Sequence, residues 1–396
     1  MNNFLLSTES LYIYLLPYCC FLVFSSLSII LISSFRYKKI YIYSEKSVSK
    51  VLLKLSIILF AFVLIIFSAF RVIEYPREPF FIKNGVLHIY QGGIDSVNYK
   101  YLYDKVADID FITFVRNVLT EEFIYYFSNW VFAYLFHLPF SYFLVFYYLL
   151  FSLCIIKLTK LISLDIHYIL CIFCIQTMYL VGFNIFRQTI AVFFSIFIIE
   201  AMLQERYIKC FFLIIIGMGF HSTSIVFFIP LFGFYLLKNA IYNEKKIYIY
   251  ILLVCICFAI IGKGIKFFNI RHSADTTKGA LSYSWLATYI FLIFIYRRKK
   301  KYCSKYENKL YFIAICFIPI FVFQSIWAMA YRFMLFSKPI VYILLVRLAK
   351  IKINTFDFLF YLITDLIFIG VIVSFISGIY QIGLPYESYL FLNNFM

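Results

Sequence analysis

Apolar runs recur along almost the whole chain, and most of them are as long as the hydrocarbon core of a bilayer requires. Two runs, Leu11 to Ser34 and Val51 to Phe70, precede a long polar stretch. The runs after that stretch are Phe140 to Ile156, His167 to Phe183, Ile185 to Leu203, Ile208 to Phe220, Ser222 to Leu237, Ile247 to Gly262, Tyr283 to Tyr296, Leu310 to Trp327, Phe333 to Val346 and Phe356 to Tyr380. The pattern predicts an all-α, polytopic protein of about twelve transmembrane helices, with residues 1–396 forming a single integral membrane domain.

Lysine and arginine positions predict which loops face the cytoplasm. The strongest signal is RRKKK, from Arg297 to Lys301, and the loop between the first two runs is also basic, with Glu45 as its acid. The basic residues of that loop are Arg36, Lys38, Lys39, Lys46, Lys50 and Lys54. If both of these basic segments lie in the cytoplasm, a chain with about twelve crossings has both termini outside.

The long polar stretch, residues 71–139, mixes acidic and basic side chains. Mixed charge over this length predicts a large loop on the periplasmic or extracellular side, because the positive bias marks cytoplasmic loops. Within it, the segment from Phe123 to His137 is apolar but interrupted by polar positions. The crossings before and after this segment agree in direction only if it does not cross. We therefore expect an interfacial or re-entrant helix on the outer face.

The composition agrees with a membrane class, since 64% of residues are hydrophobic and 14% are charged. A net charge of +17 would also suit a nucleic-acid-binding protein, but the basic residues collect in the loops assigned to the cytoplasm, so no nucleic-acid partner is predicted. The CxxC from Cys171 to Cys174 has no second pair at zinc spacing, which predicts no metal site. With 51 Phe and 36 Tyr in the chain, single tyrosines carry no signal for sugar binding.

Three arginines and a histidine fall at the outer ends of predicted spans: Arg71, Arg187, Arg332 and His221. Arg187 opens the apolar stretch NIFRQTIAVFFSIF, and a charge at the bilayer centre would cost at least about 3 kcal/mol. At the outer interface two interpretations stay open. A lone arginine there snorkels to lipid headgroups, whereas converging arginines at helix starts bind phosphate, which a guanidinium fork suits.

His221 lies in a hairpin that reads IIIGMGFHSTSIVFF. Glycines before it, Gly217 and Gly219, allow close approach of the backbone, and Ser222 or Thr223 is expected to cap the next short helix. This arrangement would present the imidazole to an outer cavity. The alternative is a tight turn in which the histidine bonds to backbone.

Three segments in succession, NIFRQTIAVFFSIF, QERYIKC and IIIGMGFHSTSIVFFIP, resemble the signature of the EpsG-like branch of Wzy polymerases. These proteins join lipid-linked repeat units of O-antigen, capsule and exopolysaccharide. The pattern is an asparagine with Arg-Gln opening a helix, followed by His-Ser at a turn. Its positions here are Asn184, Arg187, Gln188, His221 and Ser222.

The resemblance extends in both directions from that core. Upstream, FSAFRV and GGIDSVNYKYLY are similar to a segment in which an arginine precedes an Asp and a Tyr. The matching residues are Arg71, Asp95 and Tyr99, with Glu121 or Glu122 as the acid that opens the next helix. Downstream, YRFMLF with Arg332 is similar to an outward arginine late in the fold.

The resemblance implies a fold like the GT-C membrane glycosyltransferases, active at the outer face of the bacterial cytoplasmic membrane. Substrates would be glycans on undecaprenyl diphosphate, and a flippase and a chain-length regulator would be partners. The diphosphate and glycan would be bound by Arg71, Tyr99, Asn184, Arg187, Gln188, Ser222 and Arg332. His221 would be the general base, with Asp95, Glu121 and Glu122 competing for that role. The implied fold includes metal-independent members, so neither a cofactor nor a metal is expected.

Other functions stay open. A flippase for lipid-linked oligosaccharides would also need outward arginines, although the sequence shows no internal repeat of the kind common in transporters. An O-antigen ligase would share the fold and the arginines. An acyltransferase would place a catalytic histidine towards its acyl donor.

Overall fold

The computed structural model describes most of the chain from residue 94 to residue 382 and short pieces before it. The described residues are 20–21, 23–27, 55, 57–63, 65–66, 69, 82–83, 86–87, 94–117, 122–158, 171, 174, 186–237, 243–267, 281–324, 331–351 and 357–382. They are helical apart from turns and one short antiparallel hairpin, in which β1 (Ile82–Lys83) pairs with β2 (Val86–Leu87). The all-α prediction is confirmed.

The chain divides into two compact units, and the first consists of Met1–Phe193 with Phe368–Met396. Its helices are α1 (Ile94–Val106), α2 (Phe111–Asn117), α3 (Phe123–Trp130), α4 (Phe140–Leu158) and the start of α5 (Phe186–Leu203). A turn of π-helix, Val131–Leu135, continues α3. The segment predicted as interfacial is therefore helical from residue 123 to residue 135.

The predicted outer loop, residues 71–139, contains more helix than the one segment expected there. Asp110 begins α2 by accepting hydrogen bonds from the N–H groups of Ile112 and Thr113, at 3.0 and 3.1 Å. Hydrogen bonds from the side chain and backbone of Thr113 hold the pKa of Asp110 below its ordinary value. The polar residues of this stretch thus form helix ends as well as loops, because an aspartate satisfies N–H groups that a helix leaves unpaired.

Two long-range hydrogen bonds hold these helices together. The indole N–H of Trp130 donates to the carbonyl of Ile109 at 2.8 Å, and the hydroxyl of Tyr103 donates to the carbonyl of Leu138 at 2.6 Å. The first joins α3 to the segment before α2, and the second joins α1 to the segment before α4. The described residues between α1 and α4 are therefore a folded part of the first unit.

The start of α5 is anchored by aromatic packing. Phe186 is 1% exposed, and its ring centroid lies 5.4 Å from that of Tyr147 and 5.8 Å from that of Tyr148. Burial of one such ring contributes about 2 to 3 kcal/mol. The next residue, Arg187, is therefore held at a well-defined place.

The second unit is Phe194–Ile367. It contains the rest of α5, α6 (Tyr207–Phe220), a 3-10 helix (Ser222–Phe227), α7 (Phe228–Leu237), α8 (Glu244–Phe267), α9 (Leu281–Lys299), a 3-10 turn (Lys300–Tyr302), α10 (Lys305–Ile315), α11 (Pro319–Gln324), α12 (Tyr331–Met334), α13 (Ser337–Lys350) and the start of α14 (Asp357–Ile382). Its core lies where α10 packs against α13. Every residue from Leu310 to Phe317 and from Ile340 to Val346 is fully buried.

Two of the described helices are long and apolar enough to cross a membrane, over Phe140–Lys157 and Phe186–Leu203. Two shorter apolar helical segments follow, Tyr207–Phe220 and Ser222–Leu237. All four agree with predicted spans to within a few residues. The figure of about twelve spans, the GT-C fold and a single domain over the whole chain stay predictions.

One predicted span is interrupted in the structure. The run from Leu310 to Trp327 begins as α10, which ends at Ile315, and α11 begins at Pro319. Proline lacks an N–H and suits the first position of a helix, so it favours a new helix over continuation of the old one. Hydropathy averaged over the run does not reveal such a break.

Candidate functional site

Arg187 lies at the second position of α5, where the first unit supplies it with a carboxylate and a hydroxyl. Its Nη1 donates to Oε2 of Glu122, forming an ion pair, and to the hydroxyl of Tyr126 at 2.9 Å. The side chains of Arg187 and Glu122 are 25% and 10% exposed. Partly buried charges interact more strongly than surface charges because less water screens them.

Tyrosine rings lie close to the guanidinium. Its Cζ is 5.3 Å from the ring centroid of Tyr99, 5.4 Å from that of Tyr125 and 5.7 Å from that of Tyr126. These are cation–π distances. Tyr99 and Tyr125 pack edge to face with centroids 6.0 Å apart. We call Arg187, Glu122, Tyr99, Tyr125 and Tyr126 the Arg187 site.

Helical spacing explains how the Arg187 site forms. Glu122 immediately precedes α3, and Tyr125 and Tyr126 follow it by three and four residues, which places all three on one face. Tyr99 comes from α1, which packs against α3. Glu122 holds the N-cap position of α3 but makes no capping hydrogen bond with its side chain. Its carboxylate pairs with Arg187 instead.

Arg187 uses one end of its guanidinium fork within the described part of the chain. Both hydrogen bonds leave from Nη1, and Nε is buried with no hydrogen-bond partner among the described residues. Buried polar atoms of proteins almost always have a partner. The side chain as a whole is still a quarter exposed, so the fork has capacity to bind an oxygen of an anion in addition to Glu122 and Tyr126.

His221 lies in the second unit, between α6 and the 3-10 helix. Its backbone is extended, with φ −158° and ψ 128°, and its side chain caps the 3-10 helix. Nδ1 accepts a hydrogen bond from the N–H of Thr223 at 3.2 Å and lies 2.8 Å from Oγ1 of the same residue. The capping residue is therefore His221, in place of the expected Ser222 or Thr223, because the imidazole reaches the N–H two residues ahead.

This cap affects which nitrogen of His221 holds the proton. A backbone N–H only donates, so while Nδ1 accepts from it the neutral imidazole carries its proton on Nε2. In the other tautomer, Nδ1 would donate to Oγ1 of Thr223 and Nε2 would be a proton acceptor. A general base acting through Nε2 requires that second tautomer.

The turn around His221 is tightly packed. A Cβ added to Gly217 would lie 3.2 Å from both Cβ and Oγ of Ser224, so glycine allows α6 and the 3-10 helix to approach closely. Arg332, on α12, is partly exposed, and α12 packs against the same 3-10 helix. The second unit thus brings together the elements that carry His221, Ser222 and Arg332.

The remaining predicted residues are described less fully. Arg71, Asn184 and Glu121 lie outside the described residues, and Asp95 is described only as part of the backbone of α1. Gln188 is buried in α5 beside Arg187. The roles expected for all predicted site residues stay predictions.

Tyr125 and Tyr126 are the site residues that sequence reasoning missed. The high tyrosine content had removed any signal from single tyrosines. A usable signal was their spacing from Glu122, because an acid followed by tyrosines three and four residues later presents one polar face on an otherwise apolar helix.

Metal-binding groups give no further candidate site. Within the ranges that the structure describes, no cluster of three or more His, Cys, Asp and Glu side chains is placed to hold a metal ion. Cys171 and Cys174, the CxxC pair, are buried free thiols.

Comparison with known proteins gives one match. A family model described as the EpsG family matches residues 86–388. No curated protein and no solved structure matches the chain. The matched region includes both the Arg187 site and His221, and it covers more than half of the 396 residues.

Proposed function

The chain belongs to the EpsG family of membrane proteins, and we propose that it joins undecaprenyl-diphosphate-linked repeat units into a surface polysaccharide. Membership in this family implies a glycosyltransferase-like polymerase acting in polysaccharide synthesis. The lipid-linked substrates, the linkage of whole repeat units and the location at the outer leaflet of the bacterial cytoplasmic membrane are parts of the proposal.

The incomplete hydrogen bonding of Arg187 is the observation that carries this proposal. A polymerase of this kind must hold a diphosphate that departs from the donor glycan. The guanidinium has a donor, Nε, that the described residues leave unsatisfied, and arginine grips two phosphate oxygens at once through its planar fork. In the proposed reaction Arg187 binds the diphosphate through the part of its guanidinium that Glu122 and Tyr126 do not occupy.

The chemistry is a glycosyl transfer. An acceptor hydroxyl oxygen forms a bond to the anomeric carbon of the donor glycan, and the bond from that carbon to the phosphate oxygen breaks. The electron pair goes to the departing diphosphate, and the hydroxyl proton goes to a general base. Arg187 offsets the charge that develops on the diphosphate, and such preorganised donors commonly contribute about 100-fold or more to rate.

We propose His221 as the general base, in the tautomer that donates from Nδ1 to Thr223. Nδ1 lies 2.8 Å from Oγ1 of Thr223, close enough to donate to this hydroxyl once the backbone N–H of Thr223 no longer donates to Nδ1. The hydroxyl would then orient the ring as the third member of a catalytic triad does. His221→Gln should retain substrate binding and lose turnover by about 100-fold. Wild-type turnover in this variant would move the role to Asp95, Glu121 or Glu122.

The experiment that tests the function is polymerisation by the purified full-length protein. Undecaprenyl-diphosphate-linked repeats are supplied in detergent, and chain length is followed on gels together with release of the lipid diphosphate. Wild-type protein should produce a ladder, and Arg187→Met should lose about 100-fold in rate. A matched control is Arg347→Met, because Arg347 has the same exposure and is also paired with a glutamate.

Deletion of the gene separates the other functions. Loss of a polymerase leaves a single repeat unit on the final acceptor, loss of a ligase leaves polymer on the lipid carrier, and loss of a flippase leaves neither product. Either of the last two results would contradict the proposal, as would a purified protein that makes no ladder from lipid-linked repeats.

A further inference from the structure

We propose that Glu122 and Tyr126 are positioning residues that together clamp Nη1 of Arg187, so that the rest of the guanidinium is presented to the diphosphate. This inference rests on the proposed function and deepens it. It gives Tyr126 a role. It also makes Glu122 a residue that positions Arg187, and not the base that deprotonates the acceptor hydroxyl.

The clamp is visible in how the hydrogen bonds are distributed. The carboxylate of Glu122 and the hydroxyl of Tyr126 both bind Nη1, and both residues come from one turn of helix at the start of α3. Two acceptors on the same nitrogen restrict rotation about the last bonds of the side chain. They leave Nε without a partner among the described residues, so the restriction acts at one end of the fork only.

The restriction matters because an arginine side chain is flexible. Its rotamer freedom is worth about 2 kcal/mol, and ordering it on binding would reduce affinity for the diphosphate. A side chain that is already ordered loses less rotamer freedom when the diphosphate binds. The rings of Tyr99 and Tyr125, which lie at cation–π distance on the guanidinium, reinforce the same orientation.

Glu122 has the properties of a counter-ion more than of a base. Its Oε2 accepts a hydrogen bond from the charged Nη1, so this oxygen is directed at the guanidinium. A purely structural pair would use the fork of the arginine fully, because unsatisfied buried donors are unfavourable. The one-sided use of Arg187 fits a clamp that serves a ligand.

The test is protection of Arg187 from a reagent specific for arginine. Purified full-length protein in detergent is treated with phenylglyoxal, with and without inorganic diphosphate as the probe, and the adduct on Arg187 is followed by mass spectrometry. Arg297, which is 58% exposed, is the internal reference. In wild-type protein we expect diphosphate to slow modification of Arg187 about tenfold, a change that corresponds to roughly 1.4 kcal/mol.

Variants that each remove one group of the clamp then test whether the clamp is needed for diphosphate binding in a protein that is still folded. Glu122→Gln removes the charge and Tyr126→Phe removes only the hydroxyl, and each should reduce protection to less than about twofold at the same diphosphate concentration. The control is Tyr103→Phe, which removes a hydroxyl bonded to a backbone carbonyl in the same unit and should be protected like the wild type. Thermal unfolding confirms that the variants are folded.

The outcomes distinguish this inference from the proposed function. An unprotected Arg187 in wild-type protein overturns both, because then no diphosphate binds there. Protection that persists in Glu122→Gln or in Tyr126→Phe overturns only the joint clamp. If Glu122→Gln is protected but has lost turnover, Glu122 returns to the role of general base.

Discussion

Among the described residues, Arg187–Glu122 in the first unit and Arg347–Glu307 in the second are partly buried ion pairs that are alike in burial. Arg187 and Glu122 in the first unit are 25% and 10% exposed, and Arg347 and Glu307 in the second are 26% and 9% exposed. Both arginines also lie over tyrosine rings, Arg347 over Tyr306 at 4.5 Å. Burial and charge alone therefore do not separate a binding residue from a structural one.

The pairs differ in how completely they are hydrogen-bonded. Oε1 of Glu307 accepts from Nε of Arg347 at 2.6 Å and also from its Nη2, so two nitrogens of the guanidinium, Nε among them, are paired with the carboxylate. Oε2 of Glu307 accepts from the backbone N–H of Ser304 at 2.9 Å and from its hydroxyl. Arg187, in contrast, donates to its partners among the described residues through Nη1. A satisfied pair stabilises the fold, and an unsatisfied one has capacity for a ligand.

The largest expected effect is a loss of turnover when lysine replaces Arg187. Lysine keeps the charge but has no fork, so Arg187→Lys should reduce polymerisation about 100-fold, nearly as much as Arg187→Ala. Arg347→Lys should leave turnover per folded molecule unchanged. The measurement is ladder formation with purified protein. An Arg187→Lys variant with a normal ladder would return Arg187 to snorkelling at lipid headgroups.

The second prediction concerns stability at the other pair. Arg347→Ala leaves the carboxylate of Glu307 partly buried without its charged partner, which should lower the free energy of unfolding by about 2 to 3 kcal/mol. Thermal unfolding of the variant and the wild type in detergent measures this loss of stability. Removing both charges, in Arg347→Met with Glu307→Leu, should recover most of the loss. A single variant as stable as wild type would show that this pair is not structural.

The third prediction is a dependence of stability on pH. Burial raises the pKa of Glu307, but hydrogen bonds from Ser304 and the charge of Arg347 outweigh it and hold the pKa below its ordinary value of 4.5. A carboxyl whose pKa is lower in the folded state contributes stability above its unfolded pKa, and that contribution is lost as pH falls through the folded-state pKa. Thermal unfolding should therefore show a decline that begins near pH 4.5.

The control for this pH effect is Glu307→Gln, which removes the titrating group. Its melting temperature should be lower at neutral pH and should fall less steeply on acidification. A wild-type curve and a glutamine curve that stay parallel below pH 4.5 would show that other carboxyls cause the decline.

The smallest expected effect is at Ser304, which caps α10. Its hydroxyl accepts from the N–H of Tyr306 while Glu307 reaches back to the N–H of Ser304, forming a capping box. Ser304→Ala should lower the free energy of unfolding by about 1 kcal/mol and leave turnover unchanged. A reduced turnover at normal stability would contradict the separation between the structural pair and the Arg187 site.

From the sequence, the basic cluster RRKKK predicted only that its loop faces the cytoplasm. Lys299, inside RRKKK, is fully buried, donates to the carbonyl of Leu348 at 3.0 Å and lies 3.5 Å from Asp357. Lys309 donates to the carbonyl of Leu203 at 2.9 Å and pairs with Glu205 at 2.6 Å. Sequence spacing does not reveal such bonds, because their partners lie far away along the chain.

Hydropathy along the chain was enough to locate apolar helices such as α4, α5 and α6, because helix length and hydropathy are local properties of ten to twenty consecutive residues. The run from Ile208 to Phe220, for example, differs by one residue at its start from α6. Hydropathy did not reveal α1, α2 or the break between α10 and α11. The sequence also placed Arg187 at the start of a helix. Local pattern, a charge at the edge of an apolar run, was sufficient for that.

The contacts of Arg187 depend on how distant segments pack against each other. Glu122 and Tyr126 are 65 and 61 residues away in the chain, and they reach the guanidinium because folding brings the start of α3 to the start of α5. No periodicity encodes that distance. Hydrogen-bond satisfaction, which separates Arg187 from Arg347, depends on the positions of single atoms across helices, and these positions are set by packing.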